Sequence, residues 1–321
     1  MDFELSDDQA ALRSELRRFL GNRVDHGART AAADLPGAVD RSLWAELAGL
    51  GVFGICTAEA DGGVGLGLAD ATIVFEELGR VAAPGPTIAS CLAATVGVSG
   101  AVDGTAVVGL VDAGPGPVLV EHLDGLDVLL VAYDDRVEQV RPPAGDVLAR
   151  PLDPLTPVSQ VDALPSGDAV ADAPGADRLA RHGRLLAAAM QVGLGQASID
   201  LGTEYAGQRQ QFDKVIGSFQ AVKHLLADAA VAVDIARAGV HAAAVAIDEA
   251  GDSSGRVMSV DAARLVASNA AQRATEACIQ VHGGIGFTWE LDAHLFLKRS
   301  LALDTTFGST DASYGAVAAT L

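Results

Sequence analysis

The apolar residues of this chain change their spacing twice, and that double switch narrows the available folds more than any single motif does. From Ser6 to about Gly100 they recur every three to four residues. Leu12, Leu16, Phe19 and Leu20 form one stripe and Leu43, Leu47 and Leu50 another, the pattern of helices with one buried face. Residues 101–177 lose that period. Short β-branched runs at 106–111, 118–120, 128–132 and 137–140, separated by Gly, Pro and Asp, read instead as a small, mostly antiparallel β module. Helical spacing then returns over 179–208, 222–250 and 260–282, with a shorter stretch at 293–303, and predicts a C-terminal four-helix bundle. Helix, sheet, helix is an α+β order without the strand–helix alternation that a dinucleotide-binding parallel sheet requires. The expected units are an N-terminal helical domain over 1–100, a shortened middle β domain over 101–177 and a bundle over 178–321.

Local signals sharpen the helices. Asp7 and Asp8 stand near the start of the first, where carboxylates favour the helix dipole. The run TAEADGGVGLG at 57–67 interrupts the period, a helix follows from Leu68 to Arg80, and AAPGP at 82–86 ends it.

Composition excludes several classes of function. The chain has 321 residues, half of them hydrophobic, enough for a substantial core. Forty-two acidic residues against 22 basic ones give a formal charge of −20, so no positive field exists to hold nucleic acid. The cysteines, Cys56, Cys91 and Cys278, sit in apolar or helical contexts that suit buried thiols in a reducing compartment. The N-terminus is acidic and amphipathic rather than a signal peptide, and no stretch of 18 apolar residues runs without a polar break. A cytoplasmic protein without a membrane span is expected.

Most isolated motifs have ordinary readings. Gly62 to Gly67 follows no clear strand and lacks the GxGxxG register, so it reads as a loop between helices. The GxSxG match at 251–255 follows a helix where a nucleophile elbow needs a strand, and reads as a connector. The seven histidines show no metal-ligand spacing, and Asp134-Asp135 reads as a solvated face. Two segments stand apart. QRQQFDKVIGSFQ, Gln208 to Gln220, is a polar turn between long helices, carrying an arginine and two phenylalanines. CIQVHGGIGFT, Cys278 to Thr288, runs a helix into three glycines, where the missing Cβ atoms let a ligand approach the backbone. Together they offer a guanidinium for a pyrophosphate, amide side chains and bare backbone N–H groups.

With these segments in view the sequence resembles the acyl-CoA dehydrogenase family. The resemblance runs through four ordered blocks: FELSDDQAALRSELRRFL, LWAELAGLGVFGICTAEADGGVGLGLADATIVFEELGR, RQQFDKVIGSFQAVKHLLADAA and IQVHGGIGFTWELDAHLFLKR. It implies an N-terminal helical domain, a middle β domain, a C-terminal four-helix bundle and an FAD lying across a subunit interface. It also implies that Arg209, Phe212, Phe219, Gln220, Gln280, Gly283 and Gly284 embrace the ADP half of that FAD, while the neighbouring subunit holds the isoalloxazine.

The sequence departs from the family in two places. Residues 101–177 contain neither the TEPxxGSD-like nor the WIT-like stretch that holds and covers the flavin ring. The family's base is a glutamate in a YEGT-like segment about twenty residues after the GGxGF phenylalanine; here that position reads Phe307-Gly308-Ser309-Thr310, and no glutamate follows Glu290. The alternative family position, near the start of the helix before the RxxF turn, reads Arg181-His182-Gly183-Arg184. The resemblance therefore implies a non-catalytic subunit of an actinobacterial α2β2 enzyme, paired with a larger dehydrogenase subunit that binds a bulky acyl-CoA such as a steroid-derived thioester and passes electrons to an electron-transfer flavoprotein. Two alternatives stand beside it: a self-sufficient homo-oligomer using Asp304 as base, and a non-enzymatic scaffold of the same fold.

Overall fold

The computed structural model describes residues 5–319 apart from Pro36, Ala38 and 251–253. Five helices open the chain: α1 (Asp7–Arg23), α2 (His26–Asp34), α3 (Arg41–Gly49), α4 (Leu68–Arg80) and α5 (Thr87–Thr95). Seven strands follow: β1 (Val108–Asp112), β2 (Val118–Glu121), β3 (Val128–Ala132), β4 (Arg136–Val140), β5 (Asp146–Val147), β6 (Val158–Val161) and β7 (Asp168–Asp172). The rest is α6 (Ala173–Gln208), a hairpin of β8 (Gln210–Gln211) and β9 (Lys214–Val215), then α7 (Gln220–Ala250), α8 (Ser254–His282), α9 (Ala293–Leu303) and α10 (Thr310–Ala318). The architecture is the expected α+β order.

Helix starts show how the sequence fixes local structure. Ser6 and Gln9 form a reciprocal capping box on α1, the Ser6 hydroxyl accepting from the Gln9 amide at 3.2 Å and the Gln9 side chain from the Ser6 amide at 3.1 Å. Gly67, ahead of α4, has no side chain to cap with. Asp248 of α7 does it from across the molecule, accepting from the amides of Leu68 and Ala69 at 2.9 and 2.8 Å. The N-terminal helices are thereby fastened to the bundle. Packing repeats the message: a Cβ on Gly193 of α6 would lie 1.9 Å from the Glu76 carbonyl oxygen of α4, so these helices touch backbone to backbone.

The middle module is a two-layer sandwich. Strands in the order β1-β3-β4-β7 form one sheet and β2-β6-β5 the other; β1 pairs parallel with β3, and the remaining pairs are antiparallel. Along β3 the two-residue period divides the side chains. Leu129 and Val131 face the second sheet, and Leu130 joins the helical core. Strands β5, β6 and β7 lie outside the β-branched runs that mark β1 to β4. β5 and β7 are short, solvent-facing edge strands, and β6 carries only two valines, so none shows a long apolar alternation. The GxSxG segment falls largely on 251–253, outside the described residues; Ser254 is already the first residue of α8.

Helix α7 qualifies the expectation about apolar runs. Over 220–249 it contains an 18-residue window of mean hydropathy 1.6, long and apolar enough by composition to cross a membrane. Its inner face, with Val233, Ala236, Val240 and Ala244, is buried in the common core, while Val231 and Ile235 remain 59% exposed.

Candidate functional site

Helix α6 ends at Gln208 with Arg209 as its cap, and the chain turns at once into the β8–β9 hairpin, with Gln210 paired to Val215 and Gln211 to Lys214. The two residues at its tip, Phe212 (φ +55°) and Asp213 (φ +61°), are both left-handed, which a two-residue turn of this hand demands. Neither is glycine, so the conformation is strained by about 1–2 kcal/mol per residue. The strain holds Phe212 out into solvent at 85% exposure. Phe219 meets it edge-on with ring centroids 6.1 Å apart, and the Lys214 ammonium lies 4.2 Å above the Phe219 ring. Gln220 follows as the first residue of α7.

The glycine segment reaches the same end of the bundle. α8 terminates at His282, whose ring stacks on Tyr205 of α6 at 4.3 Å and whose Nδ1 hydrogen-bonds the Cys278 carbonyl at 2.7 Å. Val281 packs with Ala206 and Leu226, and Ile216 of the hairpin lies against that cluster. Gly283, at φ +64°, then breaks the helix into a tight turn over Gly283–Phe287. A Cβ added to Gly283 or Gly284 would touch nothing within 4 Å. Arg209, Phe212, Gln220, Gln280, Gly283 and Gly284 are exposed and Phe219 is half-buried. Among the described residues the Arg209 side chain has no ion-pair partner. A groove of about 550 Å³, lined in part by Gly217, Ser218 and Lys223, runs beside the hairpin. A free guanidinium, two amides, two aromatic rings and open backbone N–H groups fit the diphosphate and nucleoside of a dinucleotide such as FAD.

Near the other end of α6 the segments 181–184 and 307–310, the two positions at which the resemblance expects a glutamate, converge. Phe307 (φ +55°) lays its ring on Gly183, where a Cβ would stand 2.3 Å from Cδ1. Arg264, wholly buried, holds the loop beneath, its Nη2 donating to the carbonyls of Leu303, Thr306 and Gly308 at 2.8–3.0 Å. Burial lowers that guanidinium to about 10. Arg184 stands 3.3 Å from Asp261. A ring and guanidinium groups therefore occupy this spot, and neither 307–310 nor 181–184 contains a carboxylate. Asp304 is engaged elsewhere, accepting from Gln191 Nε2 at 2.6 Å and Gln272 Nε2 at 2.8 Å.

One polar group escaped sequence reasoning. Glu121, His122, Asp153 and Arg299 come from β2, two connecting segments and α9, and meet at a cavity between the sandwich and the bundle. The available signal was the Glu-His pair closing a β-branched run, where ionisable residues are out of pattern.

Comparison with known proteins agrees with this architecture. Residues 6–102 match the acyl-CoA dehydrogenase N-terminal domain and residues 176–321 the acyl-CoA dehydrogenase C-terminal domain. The chain is 33% identical to acyl-CoA dehydrogenase FadE34 of Mycobacterium tuberculosis over 95% of its own length and 47% of that protein, so it spans about half of that relative. It is 32% identical to acyl-CoA dehydrogenase IpdE2 of the same organism, over 92% of this chain and 91% of IpdE2. Among solved structures the fold is shared with a chain of the ChsE4-ChsE5 complex from Mycobacterium tuberculosis (TM-score 0.86, 23% identity, 99% and 98% of the two chains). It is shared too with a variant of the Tcur3481-Tcur3483 steroid acyl-CoA dehydrogenase (0.84, 21%, 98% and 97%) and with PigA bound to FAD and proline (0.84, 19%, 100% and 99%). By domain content and by likeness to IpdE2 along almost the whole of both chains, this protein belongs to the acyl-CoA dehydrogenase family.

Proposed function

We propose that this chain is one subunit of a heteromeric FAD-dependent acyl-CoA dehydrogenase and supplies the ADP-binding half of an interfacial FAD site. A larger dehydrogenase subunit contributes the flavin-ring pocket, the catalytic glutamate and the acyl-CoA site. The observation that carries this reading is the contrast within one chain: Arg209, Phe212, Phe219, Gln220, Gln280, Gly283 and Gly284 lie largely exposed at one bundle end, and neither 181–184 nor 307–310 holds a carboxylate.

Bound FAD would supply a hydride acceptor for the dehydrogenation of an acyl thioester, whose Cα proton a base would remove. The chain's own residues bind and orient. The Arg209 guanidinium makes charge-assisted hydrogen bonds to the diphosphate. Gln220 and Gln280 offer amides to its polar edges, the backbone N–H groups of Gly283 and Gly284 close on it without a Cβ in the way, and Phe212 and Phe219 wall the site against water. The name ChsE4-ChsE5 complex and the steroid substrate class of the Tcur3481-Tcur3483 enzyme support a two-chain assembly and a bulky, steroid-derived CoA thioester. An electron-transfer flavoprotein is the fitting acceptor, and the cytoplasm the fitting compartment.

Arg209→Ala tests the reading on the complex as purified from its own organism. The substitution is expected to lower FAD affinity about tenfold or more, the worth of a hydrogen bond to a charged group, with assembly and thermal midpoint unchanged. Full flavin occupancy in the variant refutes the ADP assignment. Native mass spectrometry that finds a flavin-loaded homo-oligomer instead refutes the division of labour.

A further inference from the structure

The cavity bounded by α5, β1, β2 and α9 reaches the Phe307 loop on one side and lies away from the Arg209 end of the bundle. It measures about 420 Å³, and its walls are mostly apolar, among them Ile88, Leu110, Leu119, Met190 and Phe307. One pole is polar. Arg299, 4% exposed, pairs through Nε with Asp153 and donates through Nη1 to the Ala83 carbonyl at 2.8 Å. Its Nη2 is buried with no hydrogen-bond partner among the described residues. Beside it β2 alternates, Val120 entering the sandwich core while Leu119 and Glu121 line the cavity. Burial pushes the Glu121 carboxyl up to about 7, against the pull of Arg299 and with the push of Asp153. His122 is buried in a left-handed conformation, and burial lowers it to about 3, so its ring is uncharged at neutral pH.

A buried guanidinium N–H without an acceptor is a costly arrangement in a folded chain, and a ligand that supplies the acceptor relieves it. A cation would meet Arg299 directly. A phosphate dianion would meet Asp153, Asp112 and Glu121 as well as the one arginine. A single carboxylate avoids both: one oxygen accepts from Arg299 Nη2, the other from the protonated Glu121 carboxyl, and the hydrocarbon behind it lies on the apolar walls.

We propose that this cavity is a binding site for an apolar monocarboxylic acid, with Arg299 and Glu121 holding the carboxylate. The proposal does not depend on the FAD reading, because none of its residues lies at the Arg209 end of the bundle.

The test uses the complex as purified, with [1-13C]octanoate and octan-1-ol as probes and binding followed by 13C NMR titration. Octanoate is expected to bind about tenfold or more tightly than the alcohol of equal length, since only the acid can accept both hydrogen bonds. Arg299 is tied to Asp153, so its loss endangers folding, and two gentler variants carry the test. Glu121→Ala removes a donor, and Leu119→Trp fills the cavity from a side chain already 57% exposed. Each is expected to weaken octanoate binding about tenfold with FAD content unchanged, and Leu119→Trp also leaves the thermal midpoint unchanged. Equal affinity for acid and alcohol, absence of octanoate binding, or octanoate binding that both variants leave intact overturns the assignment. Arg209→Ala, which lowers FAD content in the other reading, leaves octanoate binding as it was.

Discussion

Helix α6 carries two regions built on opposite principles. Near its start, Gly183 is covered by the Phe307 ring, and a buried arginine holds the loop beneath by three of its carbonyls. At its end, Arg209 opens onto solvent among exposed aromatic, amide and glycine positions. The first region is packed by its own chain, although Nε and Nη1 of Arg264 have no hydrogen-bond partner among the described residues, and the second is open to solvent. Distance adds to the contrast. Twenty-six residues of helix separate Gly183 from Arg209, about 39 Å at 1.5 Å per residue, farther than one extended flavin dinucleotide reaches. On the proposed reading, a dinucleotide anchored at Arg209 would place its ring away from the Gly183 region, where neither 181–184 nor 307–310 holds a carboxylate.

If the Gly183 region is closed packing, disturbing it acts on stability and not on flavin. Gly183→Leu forces the Phe307 ring out of its seat, because even a Cβ there lies 2.3 Å from the ring. The expected loss is about 3 kcal/mol, seen as a fall of several degrees in the melting midpoint of the complex, with FAD content per folded chain unchanged. A variant that keeps its stability but loses flavin would dissolve the distinction. A second break uses pH. Glu121 titrates at about 7 in the fold against an ordinary 4.5, so between those values the folded state holds a proton that the unfolded state has released. Stability therefore falls as pH rises from about 4.5 to about 7, and Glu121→Gln flattens the fall. Equal slopes for the two proteins in urea titrations across that window would show that burial leaves the carboxyl unperturbed.

Asp304→Asn separates scaffold from chemistry at smaller cost. Its carboxylate accepts from Gln191 and Gln272, and an amide can satisfy only one of them, so about 1–2 kcal/mol of stability is expected to go. Turnover per folded complex is expected to stay within about twofold; a drop of several orders of magnitude would restore Asp304 as the base.

The sequence made the helices and the open end legible for the same reason. Long periodic runs and a strained, glycine-bearing pair of segments are local signals, and the helix before the Arg209 turn ends at Gln208 as its spacing predicts. What it hid is non-local. Strands β5 to β7 are short or edge strands whose identity comes from their neighbours. The cap that Asp248 places on α4 comes from 180 residues away. Arg264 and Arg299 are basic positions on helices, and only the fold shows that one ties down the 303–308 loop and that the other pairs with Asp153 beside a cavity. Glu121 belongs with them: the Glu-His pair in VLVEH is out of pattern for a strand, but only the fold shows that burial holds its carboxyl near neutrality.

Gly284→Ala sharpens the comparison with the smallest change available. Its added methyl meets no atom of this chain within 4 Å, and Gly284, unlike Gly283, has no positive φ to strain. Folding should therefore respond by no more than about 0.5 kcal/mol in urea titration, in contrast to the effect of Gly183→Leu. If the diphosphate of a dinucleotide lies against the Gly284 backbone, the same methyl stands in its place, and FAD affinity drops about tenfold or more while the fold is untouched. Flavin content that survives Gly284→Ala together with unchanged stability would mean that the open end of the bundle faces something other than the cofactor, and that the exposed glycines are only the end of a helix.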